Sequence, residues 1–366
     1  MIHTVSNIAW AGQNFLSVAL INDNNGKINI PATMYLVDLT KQGKSFNTVQ
    51  NYAYRLNAYF NVLFFSGEMD WKDVSDEIMT IYINKHLHQE LKLCRKSLLG
   101  HISLLESFYS WAYKYGFIEN KKKFSLIIYE IKKEKPIPKS IKDRAKVYAT
   151  HYIEFKQFNN LLSNLKTNDP YLIERNEIIL YLCYYMGLRP SEIINHENLK
   201  ILDFEQIEEN SNGIRLLNVI GKKRKSRYVP IPLMVFNKIN NFINGRHRHI
   251  NCKNLICKKN GESLNRKLPN KIFNESKIRT LNPYWDTRVF YSLRHTFATD
   301  QVSMCYEHNI DPWTILPDYM GHNKSLTTKL YIAFEAIKYN RHSILRKILV
   351  TDEDINQSNH YEKKDV

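Results

Sequence analysis

The chain has few cysteines and no long apolar run. Its 366 residues include five cysteines, which are odd in number and mostly far apart: Cys94, Cys183, Cys252, Cys257 and Cys305. This usage favours reduced thiols over a disulfide framework. No stretch approaches the roughly 18 apolar residues that a membrane helix requires, and the N-terminus lacks the basic and apolar regions of a signal peptide. We therefore expect a cytoplasmic protein rather than a secreted or membrane-spanning one.

Motifs of several enzyme classes are also missing. The chain has no G-x-x-x-x-G-K-[ST] loop, so ATP use is not expected, and it has no H-E-x-x-H motif. No acidic cluster obviously assembles a two-metal nuclease site, although isolated acids leave that possibility open. Internal repeats and low-complexity tracts are absent from the sequence.

One group of residues has ligand types suited to zinc: His247, His249, Cys252 and Cys257 in RHRHINCKNLIC. Structural zinc sites favour histidines three to five residues apart, whereas these two are separated by one residue. Cys257 also lies in the strand-like NLIC, where a small apolar side chain would face the core. We predict no metal site and no other cofactor.

Positive charge is what the sequence has in excess. It contains 52 Lys and Arg against 36 Asp and Glu, a net charge of +16 with a pI near 9.4. Such a surface attracts polyanions, of which nucleic acid is the commonest in a cell, and simple solubility is the alternative. The length exceeds the usual size of one core, so we expect two domains.

The first part of the chain is predicted to be a small helical domain. Residues 1–30 carry turn chemistry in NDNNGK and form a short strand-rich N-terminal extension in this prediction. Residues 31–119 contain four amphipathic helical patterns, one of which begins near a possible cap at Ser45 or Asn47. Residues 120–150 have ten Lys and Arg against three Asp and Glu, and we predict a basic linker there.

The linker begins with three consecutive lysines that suit contact with a phosphate backbone: Lys121, Lys122 and Lys123. A solvated charged helix followed by a loop is the alternative. A second domain is predicted at 151–350, mostly helical, followed by a polar tail at 351–366. In it GIRLLNVIGKKRKSRYVPIP predicts a hairpin with a basic tip, and NLICKKNGESL at 254–264 predicts a further short strand.

Two arginines in the second domain lie in apolar surroundings. Arg189 stands in YYMGLRPSEI and Arg294 in VFYSLRHTFAT. An unpaired buried charge is very costly, so each arginine needs a partner. Glu192 is an obvious structural partner for Arg189. The other interpretation is that both guanidinium groups converge on a phosphate, which they match in a bidentate manner.

Four motifs in order resemble those of the tyrosine recombinases, the family of phage integrases and site-specific DNA recombinases. They are GLRPSEI at 187–193, GKKRKSRYVP at 221–230, YSLRHTFAT at 291–299 and MGHNKSLTTKLY at 320–331. Their order and spacing agree with the family pattern over residues 150–350. The resemblance implies a mainly α fold with a small antiparallel β component, in which a helical core-binding domain precedes an α+β catalytic domain.

By this resemblance Tyr331 is the nucleophile, Arg189 and Arg294 hold the scissile phosphate, and Lys222 protonates the leaving 5′ oxygen. His322 supports the phosphate or the tyrosine, with Glu192 and His295 as supporting neighbours. The third motif departs from the family, because Tyr291 stands where histidine is usual. A phenol, with a pKa of about 10, is a poorer base than imidazole. The rest of the hairpin is expected to grip DNA backbone or remain solvated: Lys223, Arg224, Lys225 and Arg227.

The resemblance implies a bacterial enzyme, associated with the nucleoid, that cleaves and rejoins duplex DNA through a 3′-phosphotyrosyl intermediate without metal or ATP. We expect it to integrate or excise a mobile element, a phage or a transposon. The family assembles as tetramers on DNA, and the apolar stripe at 336–350 is the expected contact; packing within its own domain is the alternative. Two rival hypotheses are a type I topoisomerase and a DNA-binding accessory protein without catalysis.

Overall fold

In the computed structural model the chain folds into two compact units, Met1–Ile137 and Pro138–Val366. The structure describes residues 1–10, 13–23, 25–67, 69–122, 124, 140–211, 213–221, 224–321, 325–341 and 343–344. Among these residues helices predominate and two small antiparallel sheets occur, which confirms the predicted fold class. No helix in the described ranges is both long and apolar enough to cross a membrane.

The first unit opens with a β-hairpin. Strand β1 (Ile2–Trp10) pairs antiparallel with β2 (Gln13–Ile21). The predicted strand-rich segment is therefore present. It belongs to the unit's own fold, because Ala19 and Ile21 are buried in the same core as the helices that follow.

The four helical patterns of the first unit form as predicted, with one irregularity. The helices are α1 (Ile30–Lys41), α2 (Phe46–Phe65), α3 (Asp76–Ile81) and α4 (Arg95–Lys114). Ser45 caps α2 by accepting a hydrogen bond from the Thr48 amide, as predicted. The third pattern begins as α3 and continues as a π-helix over Tyr82–Glu90. The core joins Tyr59 to Tyr109 through a 2.7 Å hydroxyl contact.

The predicted basic linker is partly a helix of the second unit. Helix α5 (Ile141–Ala149) begins after Ser140, whose hydroxyl accepts from the Asp143 amide. Its Ile141 and Ala145 are buried in the core cluster that also contains Tyr331. A linker extending to residue 150 is therefore wrong, because the apolar face of α5 packs into the second unit.

The second unit is a helical array with one hairpin. Its helices after α5 are α6 (Phe155–Ser163), α7 (Pro170–Tyr184), α8 (Pro190–Ile193), α9 (Ile201–Glu205), α10 (Leu233–Asn244), α11 (Leu268–Arg279), α12 (Phe290–Glu307), α13 (Pro312–Met320) and α14 (Ser325–Lys338). The predicted hairpin is present and consists of β3 (Arg215–Ile220) and β4 (Ser226–Ile231), in which Leu217 pairs with Val229.

Two expectations for the second unit differ from the structure. Residues 254–264, all of which are described, form no strand; Asn254 makes an isolated bridge with Lys200. The predicted helix at 336–350 is interrupted, because α14 ends at Lys338 and Asn340 takes a left-handed conformation with φ of 54°. Ile337 and Ile344 pack against the domain's own cluster. Residues 342 and 345–350, and the predicted tail at 351–366, lie outside the described residues.

Candidate active site

Arg294 lies on α12 at the centre of the second unit and is fully buried. Its two terminal nitrogens donate to the carbonyls of Gly187 and Met320, and its Nε has no hydrogen-bond partner among the described residues. Burial lowers the pKa of the guanidinium, and the nearby charge of Arg189 lowers it further. A buried arginine held by carbonyls keeps a net positive charge available for an anion.

Gly187 allows this arrangement because of its own conformation. Its φ is +62°, and a Cβ at this position would lie 2.3 Å from Cδ1 of Phe297. Glycine therefore lets the chain turn sharply after α7 and direct the Gly187 carbonyl towards Arg294.

Arg189 is the N-cap residue of α8 and shares the Met320 carbonyl with Arg294. Its Nη2 donates to Met320 O and Gly321 O, both at 3.1 Å, and its Nη1 lies 2.6 Å from Oε1 of Glu192. The side chain is 23% exposed, so it can be reached from solvent. The two predicted arginines thus come together, with Glu192 as the expected partner of Arg189.

Glu192 binds a second arginine that the sequence assigned to DNA. The Arg227 guanidinium donates to both carboxylate oxygens, at 2.9 and 2.8 Å, and its Nε donates to Tyr319 O at 2.8 Å. Arg227 is 9% exposed and Glu192 is 2% exposed. The prediction that Arg227 grips DNA is therefore wrong: its side chain points inward and joins β4 to α8 and α13.

The charge balance keeps Glu192 ionised. Burial alone would raise the pKa of this carboxyl group, but the hydrogen bonds and charge of Arg227, with the charges of Arg189 and Arg294, lower it to about 2. One fully ionised carboxylate thus orients two arginines and faces the field of a third.

The C-terminal end of α13 is where the three arginines meet. They donate to the successive carbonyls of Tyr319, Met320 and Gly321. Gly321 ends the helix in a left-handed conformation, and a Cβ there would lie 3.3 Å from Cδ of Arg227. His322, which follows, lies outside the described residues, so its predicted role stays a prediction.

Tyr331 lies on α14 and is 1% exposed. Its hydroxyl is 2.8 Å from Nδ1 of His295. Burial raises the pKa of the phenol well above its ordinary value and Tyr148 adds to this, while Arg294 and Arg189 oppose it. The field of both arginines therefore reaches the predicted nucleophile.

An aromatic group surrounds the Tyr331 hydroxyl. The Tyr148 ring meets the His295 ring edge-on at 4.6 Å and the Tyr331 ring at 5.3 Å. Tyr291, one helical turn before His295, is 37% exposed and lies 5.0 Å from it. His151 lies 6.2 Å from His295. Neither Tyr148 nor His151 was among the residues predicted from the sequence. A usable signal for Tyr148 was the helical spacing of Ile141, Ala145 and Tyr148.

The remaining predicted DNA-binding residues differ in their exposure and contacts. Arg224 is 81% exposed and lies 2.9 Å from Glu197, and Lys225 is exposed too. Lys121 is exposed, whereas Lys122 is partly exposed and donates to Val74 O at 2.7 Å; DNA binding by both lysines stays a prediction. Three predicted residues lie outside the described part of the chain: Lys123, Lys222 and Lys223.

No three His, Cys, Asp or Glu side chains in the described part of the chain are placed to hold a metal ion. His247, one of the four residues with ligand types suited to zinc, lies 3.0 Å from Asn254 O and 3.5 Å from the Cys257 thiol. Cys257 in turn contacts the hydroxyl of Tyr171 at 3.4 Å. This cluster fills the core beneath α7.

The chain is similar to known proteins in sequence and in fold. Residues 151–336 match the Phage integrase family, and residues 32–116 match the Phage integrase, N-terminal SAM-like domain. The chain is 25% identical over 272 residues to a tyrosine recombinase of Pseudothermotoga lettingae, over 73% of this chain and 80% of that protein. It is 24% identical over 295 residues to the tyrosine recombinase XerC of Oceanobacillus iheyensis, over 78% and 84% of the two chains.

Two solved structures have a similar fold. The XerH site-specific recombinase in a post-cleavage complex with palindromic difH substrate has a TM-score of 0.56 at 16% identity, covering 87% of this chain and 85% of that one. The Tn1549 transposon integrase in complex with circular intermediate DNA has a TM-score of 0.53 at 17% identity, covering 82% and 94%.

Proposed function

Because the chain belongs to the phage integrase family of tyrosine recombinases, we propose that it exchanges DNA strands at specific sites through a covalent bond between Tyr331 and a DNA 3′ phosphate. The observation that supports this most is the grouping of Arg189, Arg294 and Tyr331 in one site of the second unit. Both arginines donate to Met320 O, and the charges of both act on the Tyr331 phenol.

The two arginines supply the electrostatic part of the reaction. A nucleophile that attacks a phosphodiester approaches an anion, and negative charge grows on the non-bridging oxygens in the transition state. Arg189 is partly exposed, and Arg294 has a buried Nε that donates to no described group. A phosphate at this site receives donors fixed in advance by Glu192 and the α13 carbonyls.

The covalent step conserves energy. Tyr331 Oη bonds to phosphorus while the bond from phosphorus to the 5′ oxygen breaks, so one phosphodiester replaces another. Lys222 gives the leaving oxygen its proton, and His322 contacts the phosphate or the tyrosine; both assignments rest on the family resemblance. Rejoining reverses the step with a 5′ hydroxyl from the same or a partner DNA, and neither ATP nor a metal ion takes part.

DNA is held by basic residues outside the catalytic group. Arg224 and Lys225 at the hairpin tip and Lys121 in the first unit are exposed and carry the charge for backbone contact. Strand exchange requires two paired duplexes, and we propose a homo-tetramer in which the C-terminal segment at about 336–350 contacts a neighbouring copy. Of the described residues in that segment, Ile337 and Ile344 pack within their own domain.

The biological use proposed is integration or excision of a mobile element. Plasmids that carry two copies of a candidate site distinguish excision from integration by product size, and a library of sites from the host sequence around the gene identifies the target.

The test is a DNA duplex nicked beside the cleavage position, so that cleavage releases a short fragment and traps the enzyme. We expect a covalent adduct on a denaturing gel with the natural protein and none with Tyr331→Phe. Arg189→Lys is expected to abolish the adduct while DNA binding is nearly unchanged, because lysine keeps the charge but loses the planar guanidinium. An adduct with Tyr331→Phe would refute the assignment.

Two alternatives have separate outcomes. A type I topoisomerase relaxes any supercoiled plasmid without site dependence, and that result would replace recombination with relaxation. A DNA-binding accessory protein gives a site-specific complex but no adduct. Tyr291, at the usual histidine position, is the feature that favours the second alternative.

A further inference from the structure

Cleavage by Tyr331 requires a group that accepts the proton of its hydroxyl. Burial raises the pKa of the Tyr331 phenol well above its ordinary value, so few molecules carry a phenolate at neutral pH. The third motif offers Tyr291 where a histidine is usual, and a second phenol is no base at that pH. The structure places a different imidazole against the reacting oxygen.

That imidazole is His295, one helical turn after Tyr291 on α12. Its Nδ1 lies 2.8 Å from the Tyr331 hydroxyl, within the range of a direct hydrogen bond. Edge contacts with Tyr148 at 4.6 Å and Tyr291 at 5.0 Å hold the ring in place. Tyr148 also contacts the Tyr331 ring, so α5 fixes donor and acceptor relative to each other.

We propose that His295 is the catalytic residue that accepts the Tyr331 proton during cleavage and returns it during rejoining. The inference rests on the proposed function and assigns the proton path of that same site. It requires the neutral tautomer with its proton on Nε2, which leaves Nδ1 to accept.

The step balances in both directions. In cleavage the Oη–H proton passes to Nδ1, Oη bonds to phosphorus, and the bond to the 5′ oxygen breaks with a proton supplied to that oxygen. In rejoining the 5′ hydroxyl attacks phosphorus, the bond to Oη breaks, and the imidazolium returns its proton to Oη. His295 therefore acts as base and then as acid, while the leaving-group donor acts in the opposite order.

The groups that face His295 define what else titrates nearby. They are the phenols of Tyr148 on α5, Tyr291 on α12 and Tyr331 on α14, and the imidazole of His151 after α5. The charge of Arg294 acts on the Tyr331 phenol. Burial raises the pKa of the Tyr148 and Tyr331 phenols above their ordinary value. Burial lowers the pKa of His151, so it gains a proton at lower pH than an ordinary histidine.

The test measures the rate of adduct formation on the nicked duplex between pH 5 and 8 for the natural protein and His295→Asn. Asparagine keeps a hydrogen-bonding group near the position of Nδ1 but cannot take a proton. We expect the natural rate to fall towards low pH, and the variant to be slower by roughly 10²–10⁴-fold with that fall lost. His249→Asn, the same change at an exposed histidine, is the matched control and is expected to match the natural protein.

Two further experiments distinguish a proton-accepting role of His295 from a structural one. A substrate with sulfur in place of the leaving 5′ oxygen needs no acid, so it is expected to rescue Lys222→Ala but not His295→Asn. Fluorotyrosine placed at position 331 is more acidic and is expected to recover part of the rate of His295→Asn. Full activity of His295→Asn at all pH values, rescue of it by the sulfur substrate, or no recovery with fluorotyrosine would overturn the proposal. Loss of the adduct in Tyr331→Phe tests the proposed function separately.

Discussion

Replacing Glu192 by Gln is the most informative change to the architecture of the site. Gln has the same shape but no charge, so Arg189 and Arg227 remain next to each other without a carboxylate between them. The pKa of Glu192 falls from its ordinary 4.5 to about 2. A fall of that size corresponds to roughly 3 kcal/mol of stability at neutral pH. Breaking a buried ion pair typically costs about 3–5 kcal/mol, which agrees.

The contribution of Glu192 to the free energy of unfolding depends on pH. Because the folded-state pKa is lower than the unfolded one, the ionised carboxylate stabilises the fold above pH 4.5, and this stability is lost as pH falls towards 2. We expect the difference between the natural protein and Glu192→Gln to be constant from pH 5 to 7 and to shrink to about half at pH 3.

Chemical denaturation of the full chain at pH 7, 5 and 3, followed by circular dichroism, measures this difference. Glu174→Gln is the control: Glu174 pairs with Arg246 at 2.6 Å, but the two side chains are 35% and 50% exposed, so the loss there is expected to stay below about 1 kcal/mol. A Glu192→Gln deficit that does not change between pH 5 and 3, or equals that of Glu174→Gln, would show that the charge of Glu192 does not organise the site.

Two other variants test the neighbours of Glu192. Gly187→Ala places a methyl group 2.3 Å from Phe297 at a φ of +62°, so we expect a loss of about 1–3 kcal/mol in denaturation and a weaker adduct; an unchanged protein would contradict the packing described. Arg224→Gln and Arg227→Gln remove equal charge from one hairpin. Arg224→Gln is expected to reduce the salt dependence of DNA binding by about one counterion with stability unchanged, whereas Arg227→Gln is expected to lower stability by about 3 kcal/mol or more; equal effects would refute the assignment.

The sequence predicted the large elements well because their patterns are local. In the first unit, apolar residues recur at helical spacing in four segments. In the second unit, apolar and polar residues alternate on both sides of the basic turn. Both patterns can be recognised from residues that are close together in the chain. Arg189 and Arg294 could be found for a similar reason, since charged residues inside apolar segments of the sequence are conspicuous.

The inward direction of Arg227 was harder to see because it is one of several basic residues in a row. The alternation of side chains along a strand does indicate the inward direction. Arg227, Val229 and Ile231 share one face of β4, and Val229 and Ile231 are buried. Arg227 binds Glu192, 35 residues away in the sequence, and Tyr319, 92 residues away. Contacts at that separation leave no local pattern.

The errors at both ends of the catalytic domain also have physical reasons. Helix α5 follows a segment rich in lysine and proline, so charge concealed an apolar face formed by Ile141 and Ala145. The stripe at 336–350 has the right spacing for a helix, but Asn340 adopts the left-handed conformation that asparagine tolerates better than most residues, and this interrupts the helix. The contact between His295 and Tyr331 joins two helices and could not be deduced from either motif alone.

The identity of the amino acid bonded to DNA decides whether Tyr331 is the nucleophile. The adduct trapped on a nicked duplex is digested with nuclease and trypsin, and the nucleotide-bearing peptide is sequenced by mass spectrometry. We expect the nucleotide on peptide 330–338, LYIAFEAIK, attached through its 3′ phosphate to Tyr331, the single tyrosine of that peptide. A nucleotide on peptide 289–294, VFYSLR, which contains Tyr291, or on any other peptide would contradict it.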